Sequence, residues 1–503
     1  MTRRNAGWFG VWATVLVMAW SAPAAWGQAL NNQIEILLSH TPLGASRVGV
    51  FVTDVGTGET LASINASQPM IPASNMKLLT TGAALTVLGS DFEFRTTLER
   101  AGATVILRGS GDPALGDPVL LAEMGLGVED LLGRWVDAVR RSGAGPIEEV
   151  VVDASVFDDE FVHPTWPADQ LNRWYAAEVA GLNFYTNVVS FFLSRDRVGQ
   201  SPLVALEPSA AWLAVHTRAR TVDHGQNTVW VARPATSNDF TVYGALRQTL
   251  AEPIRVALHD PPQFAGALLA DRLEQAGLGD PAVCVIRAGD DPPPVSDVIA
   301  VVRSPIETVI RRCNVDSHNL YAETLFKRLG REVTGRAGSF AGGAAVLRMV
   351  IEDVLGPADA APTIIADGSG LSRDNRVSPG AVGRWLSAVA QQEVVGDLFI
   401  ESLPIAGVEG TLARRFRGES LEGIVRAKSG YIRGVSCLSG YVINDKTGGV
   451  AAFSILVNDI PQHQVPISRV KALHEAIVRV VDGWLAAQGA GAVVDADESD
   501  LGG

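Results

Sequence analysis

Lysine is scarce in this 503-residue chain, which holds five lysines against thirty-six arginines and a formal net charge of −14. Nucleic-acid-binding proteins concentrate positive charge, and no basic run interrupts the acidic balance, so the composition argues against a polyanionic partner. Arginine stays protonated in proteins, whereas a buried lysine can lose its proton. A lysine in this chain could therefore mark a site that needs a neutral amine, and chance is an equal alternative.

Cysteine is also rare, and the usual metal-binding motifs are missing. Cys284, Cys313 and Cys437 are too few and too widely spaced for a disulfide scaffold. One bridge stays open, but the apolar surroundings of Cys313 and Cys437 favour buried free thiols. No HExxH or CxxC occurs and the eight histidines are scattered, so we expect no metal site and no cofactor.

Long apolar runs are absent after the N-terminus. Residues 1–27 have the pattern of a signal peptide: Arg3 and Arg4, the apolar core "GWFGVWATVLVMAW", and a small-residue exit. A retained membrane anchor is the alternative. No later stretch is long and apolar enough to span a bilayer. The sequence predicts an exported protein, in the periplasm or on the outer face of the cytoplasmic membrane.

The texture of the chain predicts one domain split by a long insertion. Residues 28–97 combine a helix at 31–40, a hairpin ("RVGVFVTDVG" with "ETLASINA") and a helix at 74–88. Residues 98–295 are mostly short β-type runs and end in "DDPPPVSD". Residues 296–487 are first helical, then contain the strands "GIVRAKSG", "VSCLSGYVI" and "GVAAFSILV" and a helix at 467–486. The tail, 488–503, is predicted to be disordered.

Two Ser-x-x-Lys pairs occur, and their contexts differ. Ser74 and Lys77 begin a helix, one turn apart on one face, where backbone N–H groups and positive potential are available. A neutral Lys77 could take the Ser74 proton and make that hydroxyl a nucleophile. On this pair alone, a serine N-cap with a solvated lysine is an equal alternative. Ser468 and Lys471 lie on the polar face of the last helix, where Lys471 and Glu475 form an i,i+4 surface pair.

Two further motifs favour the catalytic interpretation. Ser317-His318-Asn319 lies just before or inside a helical turn, whereas Ser63-Ile64-Asn65 alternates within a strand. Lys428-Ser429-Gly430 ends a strand, whose edge can present a cation and a hydroxyl to a carboxylate, while Gly430 lets the backbone come close. Lys446-Thr447-Gly448 matches the usual K-T-G set more literally. It lies in "INDKTGGV", which is a predicted hairpin turn, so we interpret it as a solvent-exposed turn and not as part of the site.

In this order the motifs resemble those of the low-molecular-mass penicillin-binding proteins of the D-Ala-D-Ala carboxypeptidase/endopeptidase type, the class with a large insertion between the first two motifs. The resemblance covers 30–487 and includes "GSGDPAL", "DGSGLSRDNRVSP" and "LPIAGVEGTLARRF". The family commonly has Asp where this chain has His318, and Thr where it has Tyr431. These two differences from the family could affect which substrates bind.

The resemblance implies a fold of the α/β (α+β) class: a β-lactamase/transpeptidase-like domain with a five-stranded antiparallel sheet flanked by helices, plus two inserted β-rich domains. It implies that Ser74 attacks the penultimate D-Ala carbonyl, Lys77 acts as general base, and Ser317 relays protons to the leaving amine. Asn319 would hold the acyl amide. Peptidoglycan peptides and β-lactams are the implied partners, and a homodimer stays open.

The same resemblance assigns the substrate's terminal carboxylate to Lys428 and Ser429, beside Gly430. The backbone N–H groups of Ser74 and Tyr431 would form the oxyanion hole. Two rivals remain open: a serine β-lactamase, and a non-catalytic wall-binding protein. A β-lactamase would need a water-activating glutamate, and "EVAGLN" (178–183) has one residue too many for that motif. Trp174 and Tyr175 are expected in the core of the insertion.

Overall fold

The computed structural model describes residues 22–293, 295–418, 420–421 and 423–499. Residues 1–21, most of the predicted signal peptide, lie outside the described residues. The chain before the insertion forms α1 (Ala22–His40), β1 (Arg47–Asp54), β2 (Thr60–Ile64) and α2 (Met76–Leu88). Helix α1 begins nine residues earlier than predicted, and the predicted hairpin and second helix are confirmed.

The inserted region contains thirteen strands and three α-helices within the described residues. These are β3 (Glu93–Ala101), β4 (Thr104–Arg108), α3 (Pro118–Glu123), α4 (Val128–Ser142), β5 (Glu149–Asp153), β6 (Val188–Ser194), β7 (Leu203–Glu207), β8 (Val215–Thr217), β9 (Arg220–Thr221), β10 (Trp230–Ala232), β11 (Phe240–Tyr243), β12 (Ala245–Leu246), β13 (Ile254–Ala257), α5 (Pro261–Gln275), β14 (Ala282–Ile286) and β15 (Asp297–Pro305).

The chain after the insertion is helical first and then returns to the central sheet. Its elements are α6 (Ile306–Val315), α7 (Asn319–Thr334), α8 (Phe340–Leu355), α9 (Pro357–Ala360), α10 (Pro379–Ala390), α11 (Val395–Glu401), β16 (Val425–Ile432), β17 (Val435–Ile443), β18 (Val450–Asn458) and α12 (Ile467–Ser499). Helix α12 ends at Ser499, inside the segment 488–503, whose disorder stays a prediction.

The central sheet has the order β16–β17–β18–β1–β2, with every neighbour antiparallel. Side chains of successive residues point to opposite faces of a strand, so the sheet has two apolar faces. Val50 and Val52 of β1 pack with Ile477 in the core beneath α1 and α12. Tyr441 of β17 packs with Trp385 of α10 in the core on the other side. The expected five-stranded antiparallel sheet between helical layers is confirmed.

The insertion has its own five-stranded sheet, in the order β14–β5–β4–β3–β15. Strands β3 and β15 pair antiparallel from Glu93↔Pro305 to Arg100↔Asp297. Because these two strands belong to the sheet of the insertion, the inserted region spans residues 93–305, which is longer than the predicted 98–295. Three small sheets, β13–β6–β7, β10–β11–β8 and β12–β9, complete the region and share one apolar core with the larger sheet.

The prediction of mostly β structure missed two fifteen-residue helices, α4 and α5. Strands β4, β5 and β14 are parallel, and parallel neighbours need long crossover connections that are usually helical. Helix α4 supplies one crossover and buries Leu132, Trp135 and Val139. Helix α5 supplies the next, and the Asp260 side chain caps its first turn by accepting from the Gln263 N–H.

Several secondary expectations are resolved by the packing. Lys446 and Thr447 donate their backbone N–H groups to Asn444 Oδ1 in the β17–β18 turn, which confirms the assignment of that motif to a turn. Lys471 is exposed on α12, but Glu475 pairs with Arg415 at 2.8 Å rather than with Lys471, because Arg415 reaches it from another segment.

All three cysteines are free thiols, two of them buried. Burial of Cys313 and Cys437 was expected from their apolar surroundings, whereas Cys284 is exposed. Across the part of the chain that the structure describes, every helix is too short or too polar to cross a membrane.

His474 on α12 provides a test of this packing. It is fully buried, and neither ring nitrogen has a hydrogen-bond partner among the described residues. Burial, helped by the charges of Arg415 and Lys471, holds its pKa well below the ordinary value. In the unfolded chain this histidine takes up a proton near pH 6.5, whereas in the folded chain it stays neutral at that pH. The free energy of unfolding therefore falls as the pH drops below 6.5.

We predict that His474→Leu increases the free energy of unfolding at pH 7 by about 1 kcal/mol, because a buried polar ring without partners is costly. The variant should also lose less stability than the wild type between pH 7 and pH 5. Urea unfolding at the two pH values measures both effects. Parallel losses in the two proteins would contradict the account.

Candidate active site

Ser74 lies in a short 3₁₀ turn, Ala73–Asn75, that leads directly into α2. It does not cap the helix, because no side-chain cap hydrogen bond is formed there. Ala73 has φ = 47°, a left-handed conformation that a residue with a Cβ rarely adopts. Such backbone strain persists only when surrounding structure enforces it, and it concentrates at functional sites. The turn thus holds the Ser74 hydroxyl away from the ordinary capping position.

The Ser74 turn is tied to the edge of the central sheet. Asn75 Nδ2 donates to the Lys428 carbonyl at 2.7 Å, and Asn75 Oδ1 accepts from Ser439 Oγ at 2.9 Å. A Cβ added to Gly430 would lie 3.1 Å from the Ser74 nitrogen and 2.9 Å from the Pro72 carbonyl oxygen. Strand β16 therefore approaches the turn so closely that only glycine fits comfortably, as the sequence predicted for this position.

Lys77 is completely buried in the first turn of α2. Its Nζ lies 2.6 Å from Asn319 Oδ1, 2.8 Å from the Ser369 carbonyl oxygen and 3.3 Å from Ser74 Oγ. The first two atoms can only accept hydrogen bonds, whereas the serine hydroxyl can also donate. A neutral amine has two N–H donors and one lone pair. The two acceptors use both donors, which leaves the lone pair for the Ser74 hydroxyl.

The electrostatic surroundings favour that neutral form. Burial lowers the pKa of Lys77, although Cys313, Glu323 and Asp367 oppose the change. A charged ammonium loses its hydration in such a site, so desolvation favours the deprotonated amine. The solvated-lysine alternative considered for this motif is wrong, because the side chain has no contact with solvent.

Ser317 and Asn319 enter from the connection between α6 and α7. Ser317 has φ = 57°, again in the left-handed region, and Asn319 is the first residue of α7. The Asn319 amide is fixed at both ends, since Nδ2 donates to the Tyr175 carbonyl at 2.7 Å while Oδ1 accepts from Lys77. Because Tyr175 belongs to the insertion, the insertion reaches the centre of the site.

Lys428 completes the buried group from β16. Its Nζ donates to the Ser429 carbonyl at 2.9 Å, and burial together with the nearby charge of Lys77 holds its pKa well below the ordinary value. Ser429 is half-buried. Tyr431, where the family commonly has threonine, is 55% exposed at the end of the same strand.

A cleft of about 970 Å³ opens over these groups. Ser74, Ser317, Asn319 and Tyr431 line it, while Lys77 and Lys428 lie beneath its surface. The structure therefore brings the predicted site residues to one place. The expectation that Trp174 and Tyr175 lie in the core of the insertion was wrong: both line the cleft, and Trp174 is 37% exposed, because the insertion folds against the site.

Comparison with known proteins agrees with this geometry. Residues 30–479 match the model of the D-Ala-D-Ala carboxypeptidase 3 (S13) family. The chain belongs to this family. Among its relatives is the D-alanyl-D-alanine carboxypeptidase of Actinomadura sp. (strain R39), 32% identical over 85% of this chain and 81% of that protein. Another is the D-alanyl-D-alanine carboxypeptidase DacB of Haemophilus influenzae, 24% identical over 85% of this chain and 88% of that protein.

A solved structure shares the fold of this S13 protein. Penicillin-binding protein 4 of Haemophilus influenzae superposes with a TM-score of 0.72 at 23% identity, over 89% of this chain and 99% of that one. The same protein in complex with a β-lactam gives a TM-score of 0.68. The β-lactamase/transpeptidase-like architecture expected from the resemblance is confirmed.

Sequence reasoning missed the loop that supplies the Ser369 carbonyl. Asp367 accepts hydrogen bonds from the N–H groups of Gly370 and Ser372, and it also accepts from Trp166 Nε1 of the insertion at 2.8 Å. The loop lies in "DGSGLSRDNRVSP", one of the strings that carry the resemblance. A backbone carbonyl carries no signature in a sequence, so the contact with Lys77 could not be read there.

Gly370 offers a test of how this loop supports the Ser74 turn. Its φ is +81°, and an added Cβ would lie only 1.8 Å from the Ala73 carbonyl oxygen. We predict that Gly370→Ala lowers the free energy of unfolding by about 3 kcal/mol, from the steric clash and the left-handed backbone together. The matched control is Gly133→Ala in α4, where an added Cβ meets open space. Denaturant midpoints measure both, and equal effects would contradict the packing.

Proposed function

We propose that this S13 protein hydrolyses the D-Ala-D-Ala bond of peptidoglycan stem peptides through an acyl-enzyme at Ser74. The observation that carries the proposal is the pairing at Lys77, whose two acceptors leave a lone pair 3.3 Å from Ser74 Oγ. A nucleophile beside a base that a third group orients is the general arrangement for covalent catalysis.

In the acylation step, Ser74 Oγ attacks the carbonyl carbon of the penultimate D-Ala while its proton passes to Lys77 Nζ. The negative charge that develops on the carbonyl oxygen needs preorganised donors. The close approach of Gly430 to the Ser74 nitrogen supports an oxyanion hole formed by the N–H groups of Ser74 and Tyr431. The C–N bond then breaks, and the leaving D-Ala amine takes a proton from the lysine through Ser317.

In the deacylation step, water attacks the Ser74 ester, and the carboxylate product leaves as the serine hydroxyl recovers its proton. Asn319 would hold the acyl amide, consistent with its position on the cleft wall. Lys428 and Ser429 would receive the terminal carboxylate of the substrate. Lys428 is in none of the ion pairs among the described residues, and burial favours its neutral form, so a bound carboxylate would favour the protonated amine and attract it strongly in this desolvated place.

The substrate is attached to the bacterial wall, so we propose an exported protein that works in the periplasm. Endopeptidase action on cross-links is an alternative use of the same chemistry, since the cleft is open. β-Lactams should acylate Ser74 because their strained amide mimics D-Ala-D-Ala. Mass spectrometry of purified muropeptides after digestion separates the two activities: loss of a terminal D-Ala supports carboxypeptidase action, and conversion of dimers to monomers supports endopeptidase action.

A β-lactamase role is disfavoured by the surroundings of Glu178. Its carboxylate accepts from the Asp260 N–H at 2.9 Å and contacts His259 Nδ1 at 2.9 Å, with Arg233 at 3.4 Å. A glutamate held by these partners in the insertion is structural. Because Glu178 is held in this way and is not free to activate water, deacylation of a β-lactam adduct is expected to be slow.

The choice of motifs is testable by substitution. We predict that Ser74→Ala abolishes labelling by fluorescent penicillin, because the acylated oxygen is gone. Lys446→Ala and Ser468→Ala should be labelled as the wild type, since one residue lies in a turn and the other is exposed on α12. Loss of labelling in Lys446→Ala but not in Lys428→Ala would reverse the assignment of the third motif.

The lifetime of the adduct distinguishes this function from that of a β-lactamase. We predict that a chromogenic β-lactam reacts about once per Ser74 and then stops, leaving a mass increase on the protein that persists for minutes or longer. Intact-protein mass spectrometry alongside absorbance measures both. Continuous rapid turnover would favour a β-lactamase, and peptidoglycan binding without any adduct would favour a wall-binding protein.

A further inference from the structure

Glu323 is a completely buried carboxylate that the chemistry above does not use. It lies on α7, one turn after Asn319, so both side chains point from the same helix face. Its Oε2 accepts from the Gly368 N–H at 2.9 Å, and its Oε1 accepts from the Ser369 N–H at 2.8 Å. None of the ion pairs among the described residues includes it. A buried carboxylate without an ion pair is costly and needs an explanation.

The contacts of Glu323 lead to the catalytic amine through a single residue. Ser369 donates its N–H to Glu323 and accepts from Lys77 Nζ through its carbonyl, at 2.8 Å in both cases. Asn319 binds the same Nζ directly. Helix α7 therefore determines both acceptors that orient Lys77, one through a side chain and one through a loop that Glu323 holds.

Asp367, in the same loop, is a useful contrast. Its two oxygens accept from Gly370, Ser372, Asn375 and Trp166, a set of partners that satisfies a carboxylate. Asp367 therefore has a complete structural role as the centre of the loop. Glu323 accepts from the Gly368 and Ser369 N–H groups, with the Ser369 side chain as a further partner, but it is in none of the ion pairs among the described residues, so no cation in contact balances its charge.

We propose that Glu323 is a positioning residue for the reaction: it fixes the Ser369 carbonyl against Lys77 and supplies the negative charge that balances the ammonium formed when Lys77 takes the Ser74 proton. The inference rests on the proposed acyl-enzyme function. The arrangement is the counterpart of a triad in which a carboxylate orients the base and stabilises its protonated form, here with one backbone residue between them.

The charged groups around Lys77 and Glu323 determine whether removal of the Glu323 carboxyl raises or lowers the pKa of Lys77. Cys313, Asp367, Lys428 and His318 face Lys77 from the other elements, and Lys327 faces Glu323. Burial and the charge of Asp367 raise the pKa of Glu323 to about 8, so at neutral pH the carboxyl is ionised mainly while Lys77 carries its proton, and the two groups titrate as a pair. Loss of this carboxyl removes an attraction that favours the ammonium, so Lys77 should become neutral at lower pH.

The experiment measures the second-order rate of acylation by fluorescent penicillin between pH 5 and pH 10 in three full-length variants. E323Q removes the charge, E323D keeps the charge but shortens its reach, and E332Q is the matched control. Glu332 is on the same helix, is exposed, and pairs only with Arg328 in the i,i+4 position among the described ion pairs. Thermal unfolding of each variant reports folding.

We expect the rising limb of the E323Q profile to move to lower pH and its plateau to fall about tenfold, the size of one lost hydrogen bond to a charged group. E323D should be slower with its limb unmoved, and E332Q should match the wild type. A uniform fall of E323Q at every pH would overturn the proposal, because a scaffold has no effect on the limb.

The remaining outcomes separate this inference from the function on which it rests. If E323Q does not fold, E323D provides the test. A shift of the E323D rising limb to lower pH, as expected for a residue without charge, would also overturn the proposal. If the wild-type protein takes up no penicillin at Ser74, the proposed function itself fails. Normal wild-type labelling with an unshifted E323Q profile refutes only the role of Glu323.

Discussion

The burial of a single amine organises this molecule. Lys77 has no contact with solvent, and its nitrogen meets an amide oxygen, a backbone carbonyl and a serine hydroxyl. An ammonium in that position would lack both water and a carboxylate in direct contact, so the amine is favoured. The elements around Lys77 keep it in this environment. Helix α2 carries the residue, α7 and the loop after Ala366 orient its amine, and β16 covers it on the side of the central sheet.

The insertion is part of this arrangement. The Tyr175 carbonyl fixes the amide of Asn319, and Trp166 Nε1 donates to the carboxylate that organises the Ser369 loop. Asp117 pairs with Arg312 at 2.9 Å and accepts from the Tyr321 hydroxyl, which secures α6 and α7 on either side of Ser317. The inserted region thus contacts α6, α7 and the loop that supplies the Ser369 carbonyl.

Strain and close packing accompany the same constraint. Ala73 and Ser317 both occupy the left-handed region, immediately before the nucleophile and at the second motif. Gly370 and Gly430 press on the Ser74 turn from two sides, where a Cβ would meet backbone atoms. The cost of these conformations is offset by the large apolar cores on both faces of the sheet. A site assembled this tightly leaves little freedom for the hydroxyl and the amine to separate.

The sequence determined the chemistry and much of the local structure. The spacing of Ser74 and Lys77, the strand that ends at Gly430 and the turn chemistry around Lys446 depend on neighbouring residues, and such patterns are written in the chain itself. Amphipathic periodicity likewise gave the helices and strands of the divided domain. The helices of the insertion were missed because their function is to cross between parallel strands, and that pairing is a property of the assembled sheet.

Only the tertiary structure decided what surrounds the amine. Glu323, Ser369 and Tyr175 lie roughly 100 to 300 positions from Lys77. Ser369 contacts the amine through its backbone carbonyl, and Tyr175 holds Asn319 in the same way, so the residue types do not reveal these contacts. The exposure of Trp174 was decided in the same way, by how the insertion rests on the site. Burial depends on packing between segments that are distant in the sequence. The motif therefore identifies Lys77 as a lysine that can lose its proton, but only the tertiary structure removes it from solvent.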